Sequence, residues 1–377
     1  MTIDDLPGTP LTALHQELGA KLVEFAGHRM PLNFRAGILR EHEQVRSAAG
    51  LFDISHMGVV RVAGPGAGLA IERLVPGDIA GLPPGALRYT LLTNDAGGII
   101  DDIIVGRAAD DEYEIVVNAA NATLDLEHLR AALAPALSVR RVPDIALLAL
   151  QGPAAAVALA PIAPRALDLA FMSATTVSVD GAPCRVCRSG YTGEDGFEIT
   201  VPAARAEALA RHLLAQPGVT PIGLGARDSL RLEAGLCLHG HEIDAGTTPV
   251  QAALEFTIAP ARRRAGARPG GFPGAQRILD ELEHGAARRR VGLLAQGRQP
   301  ARAGSAVFDA VGTQVGTITS GTFAPSVGRA VAMATVATAC AAPGTVLLAE
   351  VRDARLPLTV VPLPFVPHRY HRRPRSA

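Results

Sequence analysis

The sequence predicts a multidomain α+β protein whose last part is a small antiparallel β-barrel or sandwich. Over residues 1–284, apolar residues at helical spacing alternate with short β-branched runs, which is typical of mixed α/β subdomains with antiparallel sheets. Over residues 285–377, short strands separated by Gly turns follow one another. A chain of 377 residues is long enough for two or three domains. We therefore place a domain boundary between residues 284 and 285.

Helices are predicted where apolar residues fall on one face and a turn residue ends the pattern. Leu11, Leu14 and Leu18 share such a face, while Gly50 is expected to be a C-cap and Asn121 an N-cap. The predicted helices cover residues 10–18, 38–49, 66–74, 123–134, 203–215, 228–234 and 272–283, and another starts after Gln151-Gly-Pro153.

Strands are predicted where β-branched residues alternate with polar ones or form short apolar runs. In the first region they cover residues 21–25, 59–62, 87–93, 98–105, 112–117, 145–150, 175–179 and 182–188. In the second region they cover residues 290–294, 305–308, 315–318, 331–336, 345–351 and 356–361. The turn Asn94-Asp-Ala-Gly-Gly98 should join two of these strands into a hairpin.

Composition argues against several kinds of partner. Lys plus Arg and Asp plus Glu both number 36, so the net charge is zero and does not favour binding to nucleic acid or to an anionic membrane.

Four cysteines are too few for a disulfide framework, and Cys184-Arg-Val-Cys187 lacks two further ligands for zinc, so we expect no metal. The amino terminus resembles no signal peptide and no run of about 20 apolar residues occurs, so a cytoplasmic location is expected.

Motif absences exclude several enzyme classes. Lys21 is the only lysine, and no Gly-x-x-x-x-Gly-Lys-Ser/Thr occurs, so the chain has no P-loop. Neither Gly-x-Ser-x-Gly nor His-Glu-x-x-His occurs, which argues against nucleophile-elbow hydrolases and zincins.

Two adjacent carboxylates, Asp101 and Asp102, lie within the Ile- and Val-rich strand 98–105. A buried carboxylate is costly unless something pairs with it. Because side chains alternate along a strand, one of the two can line a pocket while the other faces solvent or a neighbouring subdomain. Spacing alone does not say which, and a salt-bridged structural pair is the alternative to a functional site.

The segment Ser189-Gly-Tyr-Thr-Gly-Glu-Asp-Gly-Phe-Glu198 has the glycines of a phosphate-binding loop. Its acids, Glu194, Asp195 and Glu198, would repel a phosphate. We therefore expect this loop to bind a ligand that carries N–H donors.

Short motifs in a fixed order across nearly the whole chain resemble the T-protein family of the glycine cleavage system. They are Phe25-Ala-Gly-His-Arg-Met-Pro31, Phe52-Asp-Ile-Ser-His-Met-Gly58, Gly97-Gly-Ile-Ile-Asp-Asp102, Val116-Val-Asn-Ala-Ala-Asn121, Gln151-Gly-Pro153, Gly190-Tyr-Thr-Gly-Glu-Asp-Gly-Phe-Glu198, Gly223-Leu-Gly-Ala-Arg-Asp228, Thr319-Ser-Gly-Thr-Phe-Ala-Pro325 and Pro364-Phe-Val-Pro367.

The resemblance implies two interleaved α+β subdomains and a C-terminal β-barrel around a folate pocket. It implies transfer of a methylene from an aminomethyl group, carried on the dihydrolipoyl arm of an H-protein, to tetrahydrofolate, with release of ammonia. Asp102 is the acid that would act on the pterin nitrogen, so substitution of Asp101 is expected to be much milder. The other residues that the resemblance places at the folate are Glu198, Arg227, Tyr370, Tyr89, Tyr191, Asn118 and Met57.

Residue counts agree with this resemblance. The chain has no Trp and only four Tyr, and Tyr89, Tyr191 and Tyr370 fall at these positions. Flat rings suit a flat ligand. For Glu198 and Arg227 the alternative is a structural ion pair.

The chain also departs from the family pattern. His28 replaces the usual Trp, His239 the usual Tyr, and Phe171 takes the place of a tyrosine in the pocket wall. A folate-dependent demethylase of a methylated amine or sulfonium is an alternative function on this fold. A non-catalytic folate-binding protein of iron–sulfur assembly is another, but its Lys-Gly-Cys motif is replaced here by Gly235-Leu-Cys237.

Overall fold

The computed structural model describes residues 3–179, 181–352 and 354–372. The helices predicted from apolar spacing are present, although most are shorter than expected. None of the helices in these ranges is both long and apolar enough to cross a bilayer. They are α1 (Thr12–Glu17), α2 (Ile38–Ser47), α3 (Ala67–Glu72), α4 (Ala122–Leu133), α5 (Ala155–Leu159), α6 (Ala206–Leu214), α7 (Leu224–Glu233) and α8 (Ala275–His284).

The strands form two open sheets, a two-stranded ribbon and a closed barrel. In chain order they are β1 (Lys21–Phe25), β2 (His28–Asn33), β3 (Ala49–Asp53), β4 (Gly58–Ala63), β5 (Leu87–Thr93), β6 (Ile99–Ala109), β7 (Glu112–Val117), β8 (Ser138–Arg141), β9 (Ile145–Gln151), β10 (Ser173–Val179), β11 (Ala182–Arg188), β12 (Gly196–Pro202), β13 (Val219–Ile222), β14 (Arg288–Ala295), β15 (Ala306–Phe308), β16 (Gln314–Ala324), β17 (Arg329–Ala337), β18 (Val346–Val351) and β19 (Ala354–Val361).

The first open sheet is antiparallel with strand order β5-β6-β7-β4-β8, and the Asp pair lies on β6, between β5 and β7. One face of β6 is fully buried through Ile103 and Val105, which pack against α3 and α4 residues such as Ile71 and Leu129. The predicted hairpin of β5 and β6 is confirmed, with Leu91 directly opposite Asp102. The β-branched residues thus place one strand in the core and bring its carboxylates to the edge of that core.

The second open sheet has strand order β10-β11-β12-β9-β3-β13, and three of its strands, β3, β12 and β13, were not predicted. The expectation that Gly50 ends a helix is wrong, because Gly50 lies within β3 and pairs with Gln151 and Thr220. A Cβ atom there would lie 2.4 Å from Ile222 and 2.6 Å from Val45, so close packing requires the glycine. The helix ends earlier, at Ser47.

The last region is a closed barrel with strand order β14-β17-β16-β15-β18-β19. This confirms the barrel and excludes an open sandwich for these strands. Its interior holds small and branched residues such as Leu293, Ala332 and Val360. The barrel packs on the rest of the chain through a cluster of Leu232 from α7 with Val331 and Met333.

Candidate active site

The carboxylates of Asp101 and Asp102 face opposite sides of β6, as the strand period requires. Asp101 is fully buried, and Asp102 is half-buried. Asp101 does not face solvent. It accepts hydrogen bonds from Asn118 N at 3.2 Å, Asn118 Nδ2 at 2.9 Å and Asn121 Nδ2 at 3.0 Å. The reason for expecting a mild effect at Asp101 is therefore removed, because this carboxylate holds two neighbouring amides in place.

Asn118 connects the two acids. The register of β6 and β7 continues beyond Ile104 opposite Val116, which brings Asn118 opposite Asp102. Its amide Nδ2 lies 2.9 Å from Asp101 Oδ1, from Asp102 Oδ1 and from the Asp102 carbonyl. Since an amide nitrogen carries only two hydrogens, these three acceptors share them. The orientation of Asp102 thus depends on Asn118 and Asp101.

Asn121 occupies the N-cap position of α4, as predicted, but its side chain does not cap the helix. Its Nδ2 donates to Asp101 and to His239 Nδ1, the latter at 3.1 Å. His239, which replaces a family tyrosine, therefore belongs to the hydrogen-bond network of Asn121 and Asp101. The motif Val116-Val-Asn-Ala-Ala-Asn121 is the sequence signal for this network.

The environment of Asp102 makes it a base suited to neutral pH. Burial raises the pKa of Asp102 to about 7, and the charge of Asp101 adds to that rise. Hydrogen bonds from Tyr89 and Asn118 oppose it. Tyr89 is a diagonal neighbour of Asp102, because it lies on the same face of β5 as Leu91. A carboxylate whose pKa lies near the working pH combines basicity with a useful ionised fraction.

Tyr89 also contacts an apolar residue, Phe256, that the sequence analysis did not single out. The ring of Phe256 stacks on Tyr89 with centroids 6.0 Å apart and remains 70% exposed. An exposed aromatic ring beside a candidate base can contact an incoming substrate. Only the fold brings Phe256 to β5, so no local pattern pointed to it.

Tyr191 and Arg227 lie against each other, within range of the Asp102 charge. The Arg227 guanidinium lies 4.7 Å above the Tyr191 ring, and the Tyr191 hydroxyl donates to the Cys237 carbonyl. Burial raises the pKa of Tyr191 and lowers that of Arg227, and the Asp102 charge also acts on Tyr191. Within the described ranges, the Arg227 guanidinium has no ion-pair or hydrogen-bond partner, so its donors are available to a ligand.

Glu198 lies on β12 and is half-buried. Its Oε2 accepts a hydrogen bond of 2.6 Å from Ser189 Oγ. No ion pair joins Glu198 to Arg227 in the part of the chain that the structure describes, although Glu198 is near enough to raise the Arg227 pKa. The alternative that Glu198 and Arg227 form a structural ion pair is therefore wrong for the described residues. The second carboxylate oxygen of Glu198 can accept hydrogen bonds from N–H donors of a ligand.

The other acids of the Gly-rich loop do not face a ligand, which corrects the expectation drawn from their number. Glu194 pairs with Arg46 at 2.9 Å, and Asp195 pairs with Arg188 at 2.6 Å. The first pair holds the loop to α2, and the second holds it to β11. The loop is also pinned at Gly190, where a Cβ atom would lie 1.8 Å from Gln151 Oε1.

Tyr370 is not joined directly to Asp102. Its ring stacks on Phe171 with centroids 3.9 Å apart and planes 7° apart. Burial raises the pKa of Tyr370 to about 12, and the charged groups that act on it include Arg46 and Glu194. The Arg369 amide donates to the Gly193 carbonyl, so this terminal segment covers the Gly-rich loop. Phe171 thus replaces a tyrosine without loss of the ring contact.

Met57 packs near Arg227, at the margin of the candidate site. It is half-buried against a cluster that includes Ile54 and Ala226, the residue before Arg227. Its neighbour His56 is buried, and burial together with the Arg227 charge lowers the pKa of His56 to about 4. His28, in place of Trp, keeps a ring in this region with its centroid 6.4 Å from that of His56.

The predicted residues therefore fall into two groups. Asp102, Asn118, Tyr89, Tyr191, Arg227 and Glu198 surround one region, while Met57 and Tyr370 lie at its margins. A separate cavity of about 450 Å³ is lined by residues such as Phe34 and Gln44 and by none of these. Within the described ranges, no His, Cys, Asp and Glu side chains are grouped to hold a metal ion.

Known proteins share this architecture. The family model for the GCVT N-terminal domain matches residues 11–262, and the model for the glycine cleavage T-protein C-terminal barrel domain matches residues 288–367. Together they cover both open sheets and the barrel.

Individual relatives match along almost the whole chain. The mitochondrial aminomethyltransferase of Gallus gallus is 45% identical over 380 residues, which are 98% of this chain and 94% of that protein. The mitochondrial aminomethyltransferase of Homo sapiens is 43% identical over 370 residues, which are 96% of this chain and 91% of that protein. The crystal structure of glycine cleavage system aminomethyltransferase T from Bartonella henselae matches with a TM-score of 0.91 and 44% identity, covering 97% of this chain and 100% of that one.

Proposed function

Since this chain belongs to the glycine cleavage T-protein family and is an aminomethyltransferase, we propose that it transfers a methylene from a lipoylated H-protein to tetrahydrofolate. The C–S and C–N bonds of the aminomethyl group break, and two C–N bonds to folate form. The two protons released from the folate nitrogens appear in ammonia and in the freed thiol. The products are 5,10-methylenetetrahydrofolate, ammonia and the dihydrolipoyl arm.

Asp102 is proposed as the group that takes or orients the proton of the attacking pterin nitrogen. The observation that carries this role is its environment: a half-buried carboxylate beside a buried acid, with its pKa raised to about 7 by burial and by Asp101. Such a base is partly ionised at neutral pH and still basic enough to accept a proton. Asn118 is proposed to hold it in position through the 2.9 Å contact with Asp102 Oδ1.

Glu198, Arg227 and the two tyrosines are proposed to bind the folate. The half-buried Glu198 carboxylate suits the N–H edge of an aminopyrimidine, since charged acceptors strengthen such bonds. Arg227 can donate to a carbonyl or carboxylate, because its guanidinium contacts the Tyr191 ring but pairs with no acceptor within the described ranges. Tyr89 and Tyr191 offer flat rings beside Asp102. Tetrahydrofolate itself supplies the two nitrogens that receive the methylene, and no metal is required in this proposal.

Tyr370 and Met57 are proposed to bound the pocket rather than to take part in the chemistry. The stacked pair of Tyr370 and Phe171 lies beside the loop that leads to Glu198, and Met57 supplies an apolar wall. Excluding water at these margins would strengthen the polar contacts inside.

The direct test is product formation from aminomethylated H-protein. With tetrahydrofolate present, the enzyme is expected to release ammonia and 5,10-methylenetetrahydrofolate in equal amounts. Ammonia release that does not depend on folate, or turnover of free methylated amines without H-protein, would contradict the proposal.

The pH dependence of kcat/KM is expected to follow the ionisation of Asp102. Since the base must be deprotonated to act, the rate should rise with pH and level off above an apparent pKa of about 7. The measurement is initial rate against pH, from about pH 5.5 to about pH 9, at limiting tetrahydrofolate. If kcat/KM stayed constant as the pH was lowered past about 6, no such base would limit the reaction.

The cytoplasmic location expected from the sequence stays a prediction. The relatives from Gallus gallus and Homo sapiens are mitochondrial by name. Fractionation of the source cells, followed by detection of the chain in the soluble fraction, would test it.

A further inference from the structure

Asp125 is a buried acid that the proposed reaction does not use. It lies in the first turn of α4 and is 0% exposed. Neither carboxylate oxygen accepts a hydrogen bond from a donor in the described residues. An acid at a helix N-terminus is usually an anion that interacts with the free amides there, but α4 has no side-chain cap. The carboxyl of Asp125 instead points into the protein.

The neighbour of Asp125 is Asp101. The two carboxyls lie within hydrogen-bonding reach, and burial, that hydrogen bond and the charges of Asp101 and Asp102 raise the pKa of Asp125 to about 9. Two carboxylates that share a buried site cannot both be ionised without a large cost. A proton between them removes this cost and turns the unpartnered oxygen of Asp125 into a donor.

The distribution of donors decides which of the two carries the proton. Asp101 already accepts from the Asn118 backbone, the Asn118 amide and the Asn121 amide, whereas Asp125 accepts from none of these. Hydrogen bonds to the charged form stabilise that form. Asp101 is therefore the anion, and Asp125 is the acid that donates to it.

We propose that Asp125 is a positioning residue for the reaction: it stays protonated and donates to Asp101, so that a single negative charge lies beneath Asp102. The anion at Asp101 has two effects. It holds the amide of Asn118, which contacts Asp102 Oδ1 at 2.9 Å, and its charge makes Asp102 more basic. This inference rests on the proposed function, because it assumes that Asp102 acts as the base.

Other titratable groups face this cluster from the neighbouring elements. Tyr89 on β5 hydrogen-bonds Asp102, and Cys237 lies within reach of the Asp102 charge. His239 accepts the Asn121 amide at Nδ1, which assigns the ring proton to Nε2, an atom that is buried without a partner among the described residues. His239 therefore offers no N–H donor to Asp101, and the charges that act on Asp125 come from the carboxylates of Asp101 and Asp102.

Three variants separate a neutral donor from an anion at position 125. Asp125→Ala removes the donor and should lower kcat by about tenfold or more, with the KM for tetrahydrofolate changed by less than about threefold. Asp125→Asn keeps an N–H donor and should restore kcat to within about threefold of the wild type, with the same pH profile. Asp101→Asn removes the negative charge and should move the acid limb of kcat/KM about one pH unit lower.

The opposite results would overturn the inference. If Asp125 were ionised, Asp125→Asn would also remove a charge and would move the acid limb to lower pH. If Asp125→Asn lost as much kcat as Asp125→Ala, a donor at this position would not be what matters.

Infrared spectroscopy tests the proton without using activity. At about pH 8, below the raised pKa of Asp125 and above that of Asp102, the wild type should show the C=O band of a buried protonated carboxyl. The band should be absent in Asp125→Asn and present in Asp102→Asn. Absence from the wild type would refute the protonated state even if the enzyme turned over normally. Lack of folate-dependent turnover by the wild type would instead count against the proposed function.

Discussion

Replacement of Asp102 with Asn should lower kcat by roughly 10²- to 10⁴-fold, the usual contribution of a positioned general base. An amide has nearly the shape of the carboxylate but cannot take a proton at neutral pH. The affinity for tetrahydrofolate should change by less than about threefold, because the proposed binding contacts belong to other side chains. Single-turnover rates and the equilibrium binding of tetrahydrofolate measure the two effects separately.

Stability provides the control against a misfolded variant. The folded state raises the pKa of Asp102 from 3.8 to about 7, so the ionised carboxylate weakens folding at pH 8. Asp102→Asn should therefore raise the free energy of unfolding at pH 8 by up to about 4 kcal/mol, and this gain should shrink as the pH falls from 7 towards 4. Asp110→Asn, at an acid whose side chain is 89% exposed, should change neither activity nor stability. Full activity of Asp102→Asn would remove Asp102 from the chemistry.

Replacement of Glu198 with Gln should weaken tetrahydrofolate binding by about 10- to 100-fold, because a charge-assisted hydrogen bond contributes about 1.5–3 kcal/mol. The Gln amide can still accept one hydrogen bond but carries no charge and adds a donor towards the ligand's own N–H groups. Once folate is saturating, kcat should fall far less than it does in Asp102→Asn. Titration of tetrahydrofolate into each variant, together with kcat at saturation, makes this comparison.

Two further variants show whether the effect belongs to this carboxylate. Ser189→Ala removes the 2.6 Å hydrogen bond to Glu198 but leaves its charge, so it should weaken binding less than Glu198→Gln does. Glu207→Gln, at an exposed acid of α6 that pairs with Arg211, should leave binding unchanged. Equal affinity of Glu198→Gln and the wild type would mean that this side chain does not contact the ligand.

The local pattern of the chain was sufficient for most of the fold. The β5–β6 hairpin, the strand β7 and the six strands of the barrel follow from alternation and turn residues, which act over a few positions. The sequence analysis missed β2, β3, β8, β12 and β13, and two of these, β3 and β13, depend on partners that are distant in the chain. β3 is buried along its whole length and continues directly from a helical pattern, while β13 is short, contains Pro221 and pairs in parallel with β3.

Some residues of the candidate site could likewise be predicted from the sequence, and others could not. The resemblance in sequence singled out Asp102 and Glu198, but it gave no account of Asp125, which lies one helical turn after Asn121 and could have been noticed by that spacing. The acidic composition of the Gly-rich loop led us to expect a ligand with N–H donors at Glu194 and Asp195 as well. Arg46, which pairs with Glu194 from 148 positions away, shows why such an interpretation needs the fold.

By itself the sequence determined the helices, most of the strands, the barrel and the kinds of side chain available for chemistry. Those properties depend on neighbouring residues and on the period of each element. The tertiary structure alone decided which carboxylates are paired, which are buried without a donor and which keep a free acceptor. Charge and hydrogen bonding depend on burial and on partners from remote segments, and a buried acid changes its chemistry with every group that folding brings beside it.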